Sequence, residues 1–320
     1  MLTKMIVEQY KKTAYGRCNA TGDVKYFTAA DFEGLRVEPY EFASSLGHAL
    51  KGYLYNYETP IPGRLVVFDH GMGAGHEAYT KEIEMLCKHG YLVLAYDHTG
   101  CMQSGGEGTN GMAQSLRDLD DCLGAIKADA RFAGYDFSVV GHSWGGFSTL
   151  NISAIHPEIS HVVVFSGFVS VELLIASYFG GIMKGVRKPV MQLEREHNPD
   201  YVDFNAVESL KKSKAKALLI YSDNDTLCKK NPHYDALAAG LADKENVEIV
   251  LVKGKGHNPN YTADAVQYKD AFFAELTRMR KKGKLQTKEQ KDAFVASYDW
   301  HRMTAQDKDV WAKVFEALNL

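Results

Sequence analysis

The chain has 320 residues, of which 45% are apolar and 24% charged, and its formal net charge is -3. This is the composition of a globular protein with enough apolar material for a large core. The near-neutral charge gives no indication of a nucleic acid or an anionic membrane surface as partner. No uninterrupted apolar run reaches the roughly 18 residues that a membrane-spanning helix needs.

The cysteines and the N-terminus favour a reducing, cytoplasmic setting. The five cysteines are scattered and form no Cys-x-x-Cys pair, so no disulfide framework is predicted. Residues 1–12 are amphipathic and end in charge, without the apolar stretch of a secretory signal. We therefore expect a cytoplasmic protein with no integral membrane segment.

Along most of the chain, apolar runs of β type alternate with helical segments. After a polar N-terminal helix or arm, residues 38–44 and 49–57 are predicted to form a hairpin. Further strands are predicted at 64–68, 91–96, 137–140, 161–165, 217–221 and 247–252, and helices at 76–89, 112–128, 147–154, 231–242 and 263–280. Near-continuous apolar strands separated by helices indicate an α/β fold with a parallel sheet covered on both faces.

Two stretches fall outside this alternation. Residues 167–213 interrupt it with a helix-like apolar piece, a Gly-Gly break and an amphipathic tail, which predicts an insertion above the C-terminal edge of the sheet. Residues 283–320 form a charged helical extension with Trp300, Trp311 and Phe315 on its apolar side. We expect this extension to pack against the body of the protein, although a partner surface and a homo-oligomer stay open.

A Gly-x-Ser-x-Gly motif occupies residues 141–145, between a predicted strand and a predicted helix. In that context it is typical of a nucleophile elbow, a tight turn that holds the serine in strained backbone geometry. Glycines are needed because a Cβ would collide with the neighbouring strand and helix. Ser143 is therefore the candidate nucleophile, placed at a helix N-terminus where negative charge is favoured.

A nucleophilic serine needs a base and an orienting acid, and both are found after later strands. Asp225 follows the strand at 217–221, and His257 follows the last strand behind Gly256. The carboxyl ends of parallel strands share one edge, so Ser143, Asp225 and His257 are expected to meet there. Asp223 stays open as the acid, although Asp225 lies further into the loop.

The loop after the strand at 64–68 is a candidate oxyanion hole. Its sequence, Asp-His-Gly-Met-Gly-Ala-Gly, allows a backbone N–H to face a tetrahedral intermediate. We expect the amides of Met72 and Trp144 to be the two donors, and His70 to brace the loop. The mechanism needs no cofactor, and no metal-ligand spacing is visible.

These segments give the chain a specific resemblance. It resembles the α/β-hydrolases, and within them the lysophospholipase, monoacylglycerol lipase and serine-aminopeptidase-like branch; the matching segments are the His70–Gly71 loop, residues 96–100 with Ser104 and Gly105, the elbow, residues 222–225, and Gly256–His257. The resemblance implies a mostly parallel eight-stranded sheet with a lid after the sixth strand. The core would then be residues 1–166 and 214–282, the lid 167–213 and the C-terminal extension 283–320.

The chain departs from the family pattern at three positions. Ser222 replaces a common glycine, Cys228 stands where valine is usual, and Cys101 replaces a smaller residue, which leaves the shape of its loop open. None of the three removes a catalytic group.

The resemblance implies hydrolysis of a small-molecule acyl substrate, and the lid would select it. Phe168, Tyr178, Phe179 and Met183 are candidates to line an apolar acyl pocket, although each could instead pack the lid onto the body. We expect an uncharged carboxylic ester with a small or medium acyl chain or a lipid-like ester. An amidase or aminopeptidase, an acyl thioesterase, and a non-catalytic binding protein on this fold are the alternatives.

Overall fold

The computed structural model describes residues 2–318, in which eight strands form one sheet. The strands are β1 (Arg36–Ala43), β2 (Ala49–Asn56), β3 (Arg64–Asp69), β4 (Leu92–Tyr96), β5 (Asp136–His142), β6 (His161–Phe165), β7 (Lys216–Ser222) and β8 (Val247–Val252). The helices are α1 (Leu2–Ala14), α2 (Thr80–Lys88), α3 (Gln114–Ala128), α4 (Ser143–Ile152), α5 (Val171–Tyr178), α6 (Arg187–His197), α7 (Ala206–Lys212), α8 (Asp235–Gly240), α9 (Ala263–Lys281), α10 (Lys288–Ala296), α11 (Trp300–Met303) and α12 (Lys308–Ala317).

The sheet order is β1-β2-β4-β3-β5-β6-β7-β8, and β2 alone runs against its neighbours. From β4 to β8 every pairing is parallel, so the carboxyl ends of β3, β5, β7 and β8 lie at one edge. This confirms the predicted mostly parallel eight-stranded sheet. Three helices, α5, α6 and α7, lie between β6 and β7, within the predicted insertion.

Alternate residues of each central strand pack into different cores. Leu65 and Val67 of β3 belong to a cluster that includes side chains of α3 and α4, whereas Val66 and Phe68 belong to a cluster with α2 and α12. This alternation follows from the two-residue repeat of a β-strand. Both faces of the sheet are therefore covered, as the apolar strands predicted.

The C-terminal helices pack onto the body of the protein. Trp311 of α12 is buried with its ring 5.9 Å from that of Phe165 in β6. Trp300 of α11 packs 5.1 Å from Phe272 of α9, in a smaller cluster that includes Phe27. The apolar side expected for this extension is thus used within the chain.

Several predicted boundaries differ from the observed ones. The helix expected from residue 147 begins at Ser143, because the elbow glycines are part of its first turn. The helix expected from residue 231 begins at Asp235, since Asn231 has non-helical backbone and Pro232 has no amide hydrogen to donate. The segment at 76–89 starts with a tight 3-10 turn before α2.

The loop after β4 is tied to the N-terminal arm. The amide of Cys18 donates to the Gly100 carbonyl (2.9 Å), and the amide of Met102 donates to the Cys18 carbonyl (2.8 Å). Cys101 is fully buried in this loop, and both cysteines are free thiols. The loop whose shape the sequence left open is therefore held by backbone pairing across about 80 residues of chain.

Within residues 2–318, no helix combines the length and the apolar character that crossing a membrane requires.

Candidate active site

The turn between β5 and α4 has the geometry of a nucleophile elbow. Ser143 has φ of +57°, a left-handed conformation that costs a non-glycine residue about 1–3 kcal/mol. A Cβ on Gly141 would strike Thr149 and the Gly145 carbonyl, and one on Gly145 would strike the Asp69 carbonyl. The glycines of the motif are therefore required by the close approach of strand, helix and the neighbouring loop.

An unbroken hydrogen-bond chain joins the three residues expected to meet at this edge. His257 Nε2 lies 2.8 Å from Ser143 Oγ, and His257 Nδ1 lies 2.8 Å from Asp225 Oδ2. With the proton on Nδ1, the imidazole donates to Asp225 and accepts from the serine hydroxyl. Burial alone would raise the pKa of Asp225, but the hydrogen bonds from His257 and from the Leu227 amide hold it below its ordinary value. Asp225 is therefore an ionised group that can orient the imidazole.

The loop after β7 separates the roles of its two aspartates. The Asp225 side chain is buried and also accepts from the amides of Leu227 (2.8 Å) and Cys228 (3.1 Å). Asp223 is exposed and accepts from the Gly254 amide at 2.8 Å. The structure thus brings Asp225 to the imidazole, whereas Asp223 holds the loop of residues 253–258 that carries His257, called here the histidine loop.

Ser222, one of the departures from the family pattern, also holds that loop. Its hydroxyl accepts from the Lys255 amide (2.9 Å) and donates to Asn224 Oδ1 (2.8 Å), which itself accepts from the Gly256 amide (2.8 Å). The backbone immediately before His257 is therefore fixed by side chains at the end of β7 and just after it.

Two backbone amides beside Ser143 are free to donate to an anionic oxygen. Among the described residues, neither Met72 N–H nor Trp144 N–H has a protein acceptor, and both residues line the same cavity as Ser143. His70, fully buried, lies with Nδ1 2.8 Å from the Gly71 carbonyl and accepts at Nε2 from the His98 amide (3.0 Å). Burial lowers the pKa of His70 to about 3, so this neutral ring braces the loop, the role expected for it.

A second network, which the sequence reasoning missed, connects the candidate oxyanion loop (residues 69–75) to the histidine loop. The Gly71 amide donates to Tyr79 Oη (3.1 Å), and Tyr79 Oη lies 2.8 Å from His142 Nδ1. His142 Nε2 in turn lies 2.7 Å from the His257 carbonyl. Burial lowers the pKa of His142 to about 3, so the ring is neutral, with Nε2–H donating and Nδ1 accepting. His142 lies inside the elbow motif, but no local pattern marks Tyr79.

Beneath these loops lies a buried histidine between two carboxylates. His98 Nε2 is 2.8 Å from Asp69 Oδ1, and His98 Nδ1 is 3.2 Å from Asp118 Oδ2. Burial alone would lower the pKa of His98, but the two aspartates raise it to about 10. The ring is therefore a buried imidazolium that connects β3, the β4 loop and α3 under the candidate site.

Ser143 and His257 open into a cavity of about 1520 Å³. Its walls include the predicted Phe168, Tyr178 and Phe179, together with Leu174 and Ile175 of α5 and, unexpectedly, Ile6 and Tyr10 of α1. Prediction of Met183 as a lining residue is wrong. Its side chain is 38% exposed and outside the cavity wall, because it lies on a short surface turn after α5.

Helix α1 belongs to this wall because it is fastened to the insertion. Tyr10 Oη donates to Glu194 Oε1 of α6 (2.6 Å), and Glu194 Oε2 accepts from the Met112 amide (2.8 Å). The rings of Tyr10 and Phe179 lie 6.3 Å apart. The N-terminal helix and the insertion thus enclose one side of the cavity together.

Comparison with known proteins finds relatives that match parts of the chain. Residues 60–206 match the family model of the S33 serine aminopeptidases. The chain is 30% identical over 109 residues to 2-hydroxy-6-oxo-6-(2'-aminophenyl)hexa-2,4-dienoic acid hydrolase of Metapseudomonas resinovorans, covering 33% of this chain and 36% of that protein. It is 30% identical over 142 residues to the monoglyceride lipase of Rattus norvegicus, covering 43% of this chain and 45% of the lipase. The matches thus span less than half the length of these curated relatives.

Solved structures resemble the chain over a greater length. The esterase Pf2001 of Pyrococcus furiosus superposes with a TM-score of 0.59 at 20% identity, covering 89% of this chain and 99% of the esterase. A putative dienelactone hydrolase from Klebsiella pneumoniae gives a TM-score of 0.54 at 17% identity, with the same coverage of 89% and 99%. The protein therefore has the α/β-hydrolase fold, and over part of its length it is similar to the S33 serine aminopeptidases and to a monoglyceride lipase.

Proposed function

We propose that this protein is a serine hydrolase that cleaves a carboxylic ester through an acyl-enzyme. The observation that carries the proposal is the hydrogen-bond chain from Ser143 through His257 to Asp225, which opens into a large cavity. Side chains that are distant in the chain meet here in the geometry that acyl transfer requires.

In the first half-reaction His257 takes the proton of Ser143 as Oγ attacks the acyl carbonyl. Asp225 keeps the imidazole in the required tautomer and stabilises the imidazolium that forms. The amides of Met72 and Trp144 donate to the tetrahedral oxyanion, and loss of one such donor typically costs about 10²–10³ in kcat. His257 then protonates the leaving alcohol.

In the second half-reaction water takes the place of the alcohol. His257 removes a proton from water as it attacks the acyl-enzyme, and the oxyanion is held by the same two amides. Return of the proton to Ser143 Oγ releases the carboxylic acid. The chain's own residues therefore supply every proton transfer in the cycle.

An ester is favoured as substrate by the character of the cavity wall. The side formed by α1, α5 and the residues that flank α5 presents mainly apolar side chains: Ile6, Phe168, Leu174, Ile175 and Phe179. Such a surface suits an acyl chain and offers few groups to hold the peptide bonds of an extended peptide. The solved esterase and the monoglyceride lipase named above are consistent with this choice.

We also propose that the insertion at 167–213 acts as a lid, with the core formed by residues 1–166 and 214–282. The support is that α5 contributes directly to the wall of the cavity into which Ser143 opens. Helix α1 would then act with the lid, although it precedes the sheet in sequence.

A panel of matched p-nitrophenyl esters, aminoacyl anilides and acyl thioesters tests the ester assignment. We expect the highest kcat/KM on the esters and loss of turnover on all three classes in His257→Ala. Higher kcat/KM on anilides or thioesters would reassign the leaving group to an amine or a thiol. Absence of turnover of any class by the wild-type protein would favour a non-catalytic binding protein.

A further inference from the structure

The cavity wall carries more positive than negative side chains. Four basic residues line it, Lys25, Lys255, Lys269 and Arg280, whereas Asp270 is the one acidic lining residue of the described chain. This contrasts with the whole protein, whose formal net charge is -3. A concave surface of one sign concentrates ligands of the opposite sign.

Three of the four basic residues are neutralised by a carboxylate just outside the wall. Lys25 pairs with Asp31 (3.2 Å) and Arg280 pairs with Asp23 (2.7 Å). Lys255 pairs with Asp307 and also donates to a backbone carbonyl. These three side chains are therefore engaged in holding the structure.

Lys269 of α9 differs from the other three. Its Nζ donates to Asn258 Oδ1 at 2.7 Å and lies 5.1 Å from the centre of the Tyr261 ring, but within the described chain no carboxylate lies at ion-pair distance. Asn258 directly follows His257, so the ammonium is hydrogen-bonded to the residue next to the proposed base, and both Lys269 and His257 line the cavity.

No acidic group of residues 2–318 forms a direct ion pair with the ammonium. Glu82 and Asp270 act on Lys269 only through space, and the pKa of Glu82 is itself raised by burial. Burial lowers the pKa of Lys269 to about 8, so the side chain is mainly protonated near neutral pH. An ammonium has three N–H donors, and Asn258 accepts only one of them.

We propose that Lys269 binds a carboxylate of the substrate, so that the preferred substrate is an ester that carries a negative charge. This rests on the proposed ester hydrolysis and adds its substrate class. A single unpaired ammonium matches the single charge of a carboxylate, whereas a phosphate monoester would bring a second charge without a partner. Binding of the substrate carboxylate would supply the counter-ion that Lys269 lacks and accept from its remaining N–H donors.

Two matched pairs of esters test the proposal, with the charge on either side of the scissile bond. The mono-p-nitrophenyl ester of succinic acid is compared with p-nitrophenyl butyrate, and p-acetoxybenzoate with its methyl ester. In the wild-type protein we expect at least one anionic ester to have the higher kcat/KM of its pair. Lys269→Met should lower that preference by about 10- to 100-fold, the range for a hydrogen bond to a charged group.

Lys281→Met is the matched control, because Lys281 is an exposed residue on the same helix and outside the cavity wall. It should leave the preference as in the wild type. An unchanged preference in Lys269→Met, or an equal loss in Lys281→Met, would overturn the proposal. If Lys269→Met does not fold, the wild-type ratios decide alone: preference for the neutral ester in both pairs overturns the carboxylate site. Failure of the wild type to hydrolyse any of the four esters would instead contradict the proposed function.

Discussion

The phenol oxygen of Tyr79 lies 2.8 Å from Nδ1 of His142, and this contact joins the two loops that face Ser143. On one side Tyr79 accepts from the Gly71 amide, and on the other His142 donates to the His257 carbonyl. Tyr79 and His142 thus fix the position of the loop that carries the proposed oxyanion donor relative to the loop that carries the proposed base. Neither side chain needs to touch the substrate for this.

Replacement of Tyr79 by Phe should therefore slow catalysis without weakening substrate binding. It removes one oxygen and leaves the Gly71 amide and His142 Nδ1 without a partner, a cost of about 1–3 kcal/mol. We expect kcat to fall about 10-fold with KM nearly unchanged, because the loops shift relative to the transition state. Steady-state kinetics on a p-nitrophenyl ester measures both parameters.

Tyr91→Phe is the matched control, since the Tyr91 hydroxyl is also buried but donates to the Leu318 carbonyl, far from the site. It should lower stability and leave kcat as in the wild type. If Tyr79→Phe kept the wild-type kcat, the link between the two loops would have no part in catalysis.

The two aspartates after β7 should respond very differently to the same substitution. Asp225→Asn removes the charge that orients His257 and should lower kcat by about 10⁴-fold. Asp223→Asn keeps an oxygen that can accept from the Gly254 amide. It should therefore change the free energy of unfolding by no more than about 0.5 kcal/mol, as for most surface changes. Comparable kcat losses in the two variants would show that the acid is misassigned.

Stability should depend on pH through the buried His98. Its pKa is raised from 6.5 to about 10 in the folded protein. Its contribution to the free energy of unfolding is therefore complete below about pH 6.5 and is lost as pH rises through about 10. Over that interval the free energy of unfolding should fall by up to about 1.4 kcal/mol per pH unit from this group. Urea denaturation of the wild type and of His98→Gln at a series of pH values measures it.

The informative quantity is the difference between the two proteins, because other groups also titrate in the alkaline range. His98→Gln should be less stable near neutral pH, and the difference should shrink as the solution becomes alkaline. A difference that stays constant with pH would mean that His98 is neutral in the folded protein.

Phe179 should limit the length of the acyl chain. Its ring closes the space between α5 and Tyr10 of α1, so Phe179→Ala should admit longer chains. We expect the ratio of kcat/KM for the dodecanoate ester over the butyrate ester to rise about 3- to 10-fold, as for a few extra methylenes buried. Ile182→Ala is the control, because Ile182 is 101% exposed and outside the cavity wall. Equal ratios in the two variants would exclude Phe179 as a chain-length determinant.

The residues at strand ends could be predicted from sequence for a physical reason. Apolar runs define the strands, and parallel strands place the residues that follow them at one edge. Ser143, Asp225 and His257 each follow a strand, so their meeting required only the sheet topology. The glycines at 141 and 145 likewise fix the turn locally, because a side chain there has no room.

The parts of the site that were missed depend on packing between distant segments. Tyr79 reaches His142 across 63 positions, and Tyr10 reaches Glu194 across 184, and neither contact leaves a local periodic signal. Met183 was wrongly assigned for the same reason, since an apolar residue in an irregular turn carries no information on its direction. Side-chain direction is periodic only within regular helices and strands.

Labelling by a serine-directed fluorophosphonate tests most directly whether Ser143 is the nucleophile. The wild-type protein should take up one label per chain, found by mass spectrometry on the peptide that contains Ser143, and lose ester turnover in parallel. Ser143→Ala should take up none. Equal labelling of Ser143→Ala, or ester turnover by a wild-type protein that does not react with the probe, would contradict the proposed acyl-enzyme mechanism.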